Sequence, residues 1–387
     1  MSLKMEIHDY EKRRAQDVQS RVEALDRLVT GAGVQAVLFD RNSSPVQQRL
    51  LGASGLILYK PGEKGKQINN ANEMVTDAPS VAVQHWAPHS KTVDLIDCLS
   101  RQDIVAWVGE KGRLGVVEPD TMRANLVEFL EKALPDVELV DLTAAFTAEM
   151  AKKSELEAEL GQLAARRHDR VFCAIPAFLN EGTFERSIVL KIQETASNIS
   201  DRACDSYFGA LTDIYSGKDG EWDANEQPLY PGRSLSAGDL VQVKLQAGIA
   251  GGYYSAVGRC FSLGEPSETV KAAHRISVLA ADAAARLLTP GSSVAKAADA
   301  AKAVIAEAGY ETPEMCNIYA VGAQYAEIPF SNGAGADLPL GENTILAVGF
   351  PVYKGEKAFP VACWDAFLVR EGGAVRLGTV ERDILVV

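Results

Sequence analysis

Apolar positions along the first third of the chain recur with two different spacings. From Ala15 to Gly31, Val18, Val22, Leu25 and Leu28 fall three or four apart, which predicts an amphipathic helix ended by Gly31 and Gly33. Short unbroken apolar runs follow at 36–39, 56–59, 81–83, 104–108 and 114–117, each short enough to predict a buried strand. A second helix is predicted from Asp120, as its N-cap, to Leu134, where Pro135 stops it, and Val137–Val140 supplies a last strand. Strands alternating with helices predict an α/β domain over residues 1–142. From Leu142 to about Arg170 the chain is rich in Ala, Glu, Leu and Lys, which predicts one long helix over 143–170 leading into a second domain, 143–387.

In that second part the period changes to two. Val241, Val243, Leu245 and Ala247 share one face of a predicted strand, and Gln242, Lys244 and Gln246 share the other. A second strand, Tyr253–Phe261, follows after Gly248, Gly251 and Gly252, which form a hairpin turn and not a phosphate loop, since no Gly-Lys-Ser/Thr comes after them. One helix is expected from Pro266-Ser267-Glu268, with Val270, Ala273, Ile276, Ala280, Ala283 and Leu287 as its apolar stripe. Another runs from Ser293 to Ala308 and closes at Gly309 in a left-handed cap. The polar stretch 213–234 predicts a loop.

Composition narrows the function classes. The 387 residues carry a net charge of -13, which repels phosphate backbones and anionic lipid and argues against nucleic-acid or membrane partners. There is no apolar run of membrane-spanning length, and Met1-Ser2-Leu3-Lys4-Met5-Glu6 lacks the apolar core of a signal peptide. Six cysteines stand singly at 98, 173, 204, 260, 316 and 363, which predicts reduced, mostly buried thiols and a cytoplasmic protein. With no histidine within two residues of Cys260, Cys316 or Cys363, a thiolate nucleophile is not expected. Of the five histidines only His85 and His89 are spaced four apart, and Pro88 between them argues against a helical metal pair.

The run Gly238-Asp239-Leu240-Val241-Gln242-Val243-Lys244-Leu245-Gln246-Ala247, followed by Gly252-Tyr253-Tyr254-Ser255-Ala256-Val257-Gly258-Arg259-Cys260-Phe261, resembles the creatinase/aminopeptidase ("pita-bread") family. Lys152-Lys153-Ser154-Glu155-Leu156-Glu157 is similar to the phrase that opens the family's catalytic domain, and Pro290-Gly291 to its Pro-Gly turn. The resemblance covers about 150–380 well and the N-terminal third loosely. It implies an α+β protein: a C-terminal pita-bread domain preceded by a smaller creatinase-type α/β domain. It also implies a homodimer.

The family's metallopeptidases hold two divalent metals with two aspartates, two glutamates and a histidine. Matching the motifs puts Lys244 and Ala256 at the aspartates and Tyr319 at the histidine, counted back from Glu327 and Pro329. Gly349, or Phe350 if the register slips by one, falls at the first glutamate, and Trp364 at the last. None of these is a metal ligand, so no metal and no cofactor is expected. Creatinase, a metal-free member, works through a histidine just ahead of the signature strands, and the corresponding Asn225–Tyr230 contains none. The cleft residues expected to bind a ligand are Gln242, Lys244, Gln246, Tyr254, Tyr319, Gln324, Glu327, Tyr353, Trp364 and Asp365. Lys244 is expected to pair with Glu327 or Asp365, because an unpaired buried ammonium is strongly disfavoured. Two functional readings stay open: a member without peptidase activity that binds a small polar or anionic molecule or a partner, and a metal-independent hydrolase of a small C–N bond.

Overall fold

The computed structural model describes residues 3–40, 56–62, 66–68, 73–75, 101–199, 211–223, 232–323 and 325–387. The chain forms two compact units, one of residues 11–150 and one of residues 1–10 with 151–387.

The smaller unit is built on a six-stranded sheet of β1 (Ala36–Phe39), β2 (Leu56–Tyr59), β3 (Lys66–Ile68), β4 (Glu73–Val75), β5 (Arg113–Val116) and β6 (Glu138–Asp141), in the order β4-β3-β2-β1-β5-β6. β1 runs parallel to β5 and β5 to β6; the other pairs are antiparallel. Helix Tyr10–Gly31 and helix Thr143–Met150 cover one face, where Leu25, Val29, Val37, Phe39 and Phe146 form a common core. Helices Arg101–Val108 and Ala124–Ala133 cover the other through Ile104, Leu126 and Leu130. Ile104–Val108, expected as a strand, is therefore helical: an apolar run of five is compatible with either element, and the four-residue spacing of buried Ile104 and Val108 sets it here. Asp120 lies in a short 3-10 turn, and Arg123 is the N-cap of helix Ala124–Ala133. The strand expected at 81–83, together with His85, His89, Cys98 and Cys204, lies outside the described residues.

The single helix expected over 142–170 is two helices, Thr143–Met150 and Glu155–Phe172, separated by residues 151–154. Ser154 starts the second with a capping box: its side chain accepts from the Glu157 amide, and the Glu157 carboxylate accepts from the Ser154 amide. The larger unit then lays down β7 (Leu211–Gly217), β8 (Leu240–Ala250), β9 (Tyr253–Ser262), β10 (Ile318–Val321), β11 (Glu327–Phe330), β12 (Ile345–Gly349), β13 (Trp364–Leu368), β14 (Val375–Arg376) and β15 (Leu385–Val386). The sheet path is β11-β10-β12-β13-β9-β8-β7, with β14 on β13 and β15 parallel to β9. β7 occupies the start of the stretch expected to be a loop. Its polar residues Asp213 and Ser216 obscure the strand in the sequence. The β8–β9 hairpin turns at Gly251 and Gly252, both at positive φ (60° and 77°), a pair of conformations that side chains with a Cβ rarely adopt.

Helices cover one face of this sheet in two halves. Helices Glu155–Phe172 and Glu185–Ile199 pack on Val241, Val243, Leu245 and Ala247, the apolar set read from the alternation. Helices Glu268–Leu287 and Val294–Glu307, the second followed by Gly309 at φ 74°, pack on Ile318, Ala320, Leu346 and Val348. The opposite, inner face carries Lys244, Tyr254, Ala256, Tyr319, Ala347 and Trp364, and most of these cluster with Ala158 and Ala165 of helix Glu155–Phe172, whose Gly161 lies against Ile345.

Candidate functional site

One row of residues crosses the inner face. Backbone register sets Asp213 of β7 opposite Lys244 of β8, Lys244 opposite Gly258 of β9, Gly258 opposite Trp364 of β13, and Trp364 opposite Gly349 of β12. The two glycines make room for the indole. A Cβ at Gly349 would fall inside the Trp364 ring, and one at Gly258 would crowd its Cβ and Cδ1 at 3.0 Å. The Lys244 ammonium lies over that indole, 3.7 Å from the ring centroid, and 5.0 Å from the Tyr319 ring centroid. Tyr319 itself leans on Trp364 with 6.2 Å between ring centroids. An ammonium on ring faces is a cation–π arrangement, held by the negative potential of the aromatic π face.

The electrostatics of this row follow from burial. Desolvation lowers the Lys244 pKa from 10.5 to about 8, and Asp213 and then Cys316 oppose that shift. Desolvation also raises the Tyr319 pKa, so its hydroxyl stays protonated. That hydroxyl is buried beside the Gln246 side chain without a hydrogen bond of good geometry. Gln242 Oε1 accepts the Ala362 amide at 2.9 Å, which leaves its Nε2 buried with no acceptor. Gln246 Nε2 donates to the Tyr325 carbonyl at 2.9 Å, and Tyr325 packs edge-on against Tyr254, so both side chains anchor the segment between β10 and β11.

The sequence-predicted residues thus separate into groups. Gln242, Lys244, Gln246, Tyr254, Tyr319 and Trp364 come together on the inner face. Glu327 is buried at β11 and forms an ion pair with Lys153, both side chains being 1% exposed. Asp365 points to the helix-covered face, where it accepts from Arg259 (2.7 Å) and Arg382 (2.8 Å). The expected partners of Lys244 are therefore both taken by other cations, and Lys244 pairs with neither. Tyr353 bridges in backbone to Glu311 beyond the end of β12, away from this row. Gln324 and Asn225–Tyr230 lie outside the described residues.

Sequence reading did not pick out Asp213 or Asn317 as site residues. Asn317 precedes β10, its carbonyl accepts from Gly349, and both ends of its buried amide lack partners. Lys153 was visible in the quoted opening phrase, but not its partner. Of the described cysteines, Cys260 and Cys363 are buried, Cys316 is half-buried and Cys173, against expectation, is exposed; none is bridged. Burial raises the Cys260 and Cys363 thiols well above their usual range, so neither is a ready nucleophile.

The model of metallopeptidase family M24 matches residues 159–384, more than half of the chain. The chain belongs to metallopeptidase family M24. Among curated relatives, "Probable dipeptidase PepE" of Mycobacterium tuberculosis is 28% identical over 243 residues, a match spanning 61% of this chain and 60% of that protein's length. The "Uncharacterized hydrolase/peptidase y4tL" of Sinorhizobium fredii is 23% identical over 95% of this chain and 97% of its own. Solved structures share the fold over 95% of the chain or more. An X-Pro aminopeptidase from Thermotoga maritima has a TM-score of 0.75 at 21% identity, covering 95% of this chain and 99% of that one. A prolidase from Thermococcus sibiricus has 0.76 at 19%, covering 98% and 100%. PepE from Mycobacterium ulcerans has 0.75 at 22%, covering 96% and 98%.

A pair of divalent cations, which the M24 metallopeptidases use, does not fit these residues. Three of the five matched positions, Lys244, Trp364 and Gly349, lie in the row described above. There an ammonium and an indole occupy the space, and these three positions offer no oxygen or imidazole side-chain ligand; Asp213 across from Lys244 is a lone carboxylate facing that ammonium. The fourth and fifth, Ala256 and Tyr319, contribute a methyl group and a phenol held protonated. Among the described residues, no group of three or more His, Cys, Asp or Glu is placed to hold a metal ion. Nor is any described helix long and apolar enough to cross a membrane.

Proposed function

We propose that this M24 member has lost metallopeptidase chemistry and that its inner sheet face binds a small polar molecule with an anionic group. The observation that carries this is the Lys244 ammonium seated on the Trp364 indole at a position where the family's peptidases place a metal-binding aspartate. A fixed cation repels divalent metal and attracts an anion. The unpaired Gln242 amide and Tyr319 hydroxyl add polar groups that a bound molecule would satisfy. The homodimer implied by the family resemblance and a reducing, cytoplasmic setting complete the proposal; light scattering and thiol titration of freshly purified protein test them.

The activity assay for the main reading is hydrolysis of Xaa-Pro dipeptides with manganese, cobalt or zinc supplied. The expected result is no metal-dependent turnover above the rate of a Lys244→Met control. Metal-dependent hydrolysis that the Lys244→Met control lacks would overturn the reading.

A further inference from the structure

We propose that β6, at one edge of the six-stranded sheet, is a docking strand for an extended peptide with an apolar centre and basic flanks. This surface belongs to the smaller unit and owes nothing to the inner face of the larger one.

β6 ends the sheet path β4-β3-β2-β1-β5-β6, with β5 on one side and no strand on the other among the described residues. The Glu138 and Leu142 amides donate to the Gly112 and Val116 carbonyls at 3.0 and 2.8 Å, so the even-numbered residues bond to β5. In a parallel pair the residues between them aim their N–H and C=O the other way. The N–H and C=O of Leu139 and of Asp141 therefore line the open edge, about 6.7 Å apart, with no backbone partner among the described residues. The side chains are uncovered too: Glu138 and Asp141 are exposed, and Leu139 is 41% exposed. An open edge of this kind is a template on which an added strand pairs.

The side chains select the occupant. Leu139 stands opposite Leu114 in the register and shares the sheet face covered by helix Ala124–Ala133, where Phe129 and Ala133 are only partly buried. An apolar side chain on an added strand would extend that face beyond Leu139. Charge sets the flanks. Asp136, Glu138 and Asp141 stand exposed along this edge, and among the described residues only Glu138 has a cation beside it, Arg113 at 3.0 Å. Asp141 Oδ1 accepts the Thr143 amide and hydroxyl, which fixes the end of the strand. A second copy of β6 would bring the same carboxylates together on a chain of net charge -13, which disfavours self-pairing. Lys or Arg on either side of an apolar centre complements them instead.

The test uses the full chain and a fluorescein-labelled peptide, Lys-Lys-Val-Thr-Val-Thr-Val-Lys-Lys, compared with the same peptide carrying Glu in place of Lys. Anisotropy titration should show the basic peptide binding at least about tenfold more tightly. Hydrogen–deuterium exchange should show slower uptake over residues 137–142 in its presence, because the Leu139 and Asp141 amides become donors. Leu139→Pro deletes one outward N–H and no bond to β5, and should weaken the peptide about fivefold or more. Asp136→Lys, a change in an exposed turn, should weaken it about threefold, and it carries the test if thermal denaturation shows Leu139→Pro to be unfolded. Unchanged uptake over 137–142, equal binding of the acidic peptide, or full affinity in the folded variants would overturn the proposal. So would slowed uptake produced by raising the protein concentration alone, which would assign the edge to a second copy.

Discussion

The two faces of the large sheet treat buried charge in opposite ways, although Trp364 and Asp365 are adjacent in sequence. On the helix-covered face, Asp365 accepts from Arg259 and Arg382, and Arg259 also donates to the carbonyls of Gly258, Trp364, Val380 and Glu381. Arg382 goes on to Asp282 at 2.6 Å. On the inner face, Gln242 Nε2 is buried without an acceptor, the Tyr319 hydroxyl meets Gln246 only in poor geometry, and Lys244 lies on two rings with Asp213 opposite it on β7 but no ion-pair contact. Saturated polar groups tie strands and the C-terminal segment together, which is a fold-keeping role. A buried polar group left without a partner costs free energy instead. Lys153 and Lys244 repeat the contrast within one residue type: one is ion-paired to Glu327, the other is laid on aromatic rings.

Substitutions that strip the paired face should have the largest effect. Arg259→Met leaves Asp365 and four carbonyls short of donors and should cost about 3–5 kcal/mol in urea unfolding, a large share of the ~5–15 kcal/mol of an ordinary domain. Lys153→Met strands the Glu327 carboxylate and should cost a similar ~3–5 kcal/mol, with most of it recovered in the double variant Lys153→Met/Glu327→Met. If Lys153→Met were harmless, the division between the two lysines would be broken.

The pH dependence sharpens the same contrast. Lys244 has its folded pKa lowered from 10.5 to about 8, so between these values the unfolded chain holds a proton that the folded one has released. Stability therefore rises with pH across that window and is lost again as pH falls through 8, by up to about 3 kcal/mol. Wild type minus Lys244→Met, measured by denaturation from pH 7 to 10.5, should show this rise. His168, buried with neither ring nitrogen bonded, has its pKa lowered by desolvation from 6.5 to about 3, which takes stability away as pH falls through that range. The smallest effect should come from Lys244→Met at pH 7. Because it orphans no carboxylate, stability should stay level or rise by up to ~2 kcal/mol, the relief of desolvation being partly offset by the lost cation–π contact. A large loss would show a carboxylate partner for Lys244 after all.

Much of this contrast was legible in the sequence. The alternation in Val241–Ala247 correctly separated the helix-packed residues from the inner-face residues, because one buried face specifies the strand register. The family motifs located Lys244, Tyr319, Gly349 and Trp364, three of which the register aligns in one row. What could not be read was which cation meets which carboxylate. Glu327 is claimed by Lys153, 174 residues away in the chain, and Asp365 by Arg259, 106 away. No local pattern encodes such pairings. Asp365 also shares a strand with Trp364, so period-two geometry assigns them opposite faces, a consequence of the alternation that applies to β13 as it does to β8. The helix at Arg101–Val108 and the strand β7 were misread for a different reason. Short runs carry too few periods to separate helix from strand, and in β7 the polar residues resemble those of a loop.

The central claim is that the family's metal position now carries a fixed cation on an indole. Its most direct test is metal retention: the full-length protein is saturated in turn with manganese, cobalt and zinc, dialysed, and its metal content measured by elemental analysis. Well under one equivalent of each metal per chain is expected, unchanged in Lys244→Asp because the other matched positions still lack ligands. One or two equivalents held by the wild-type chain and lost on substituting inner-face residues would contradict it.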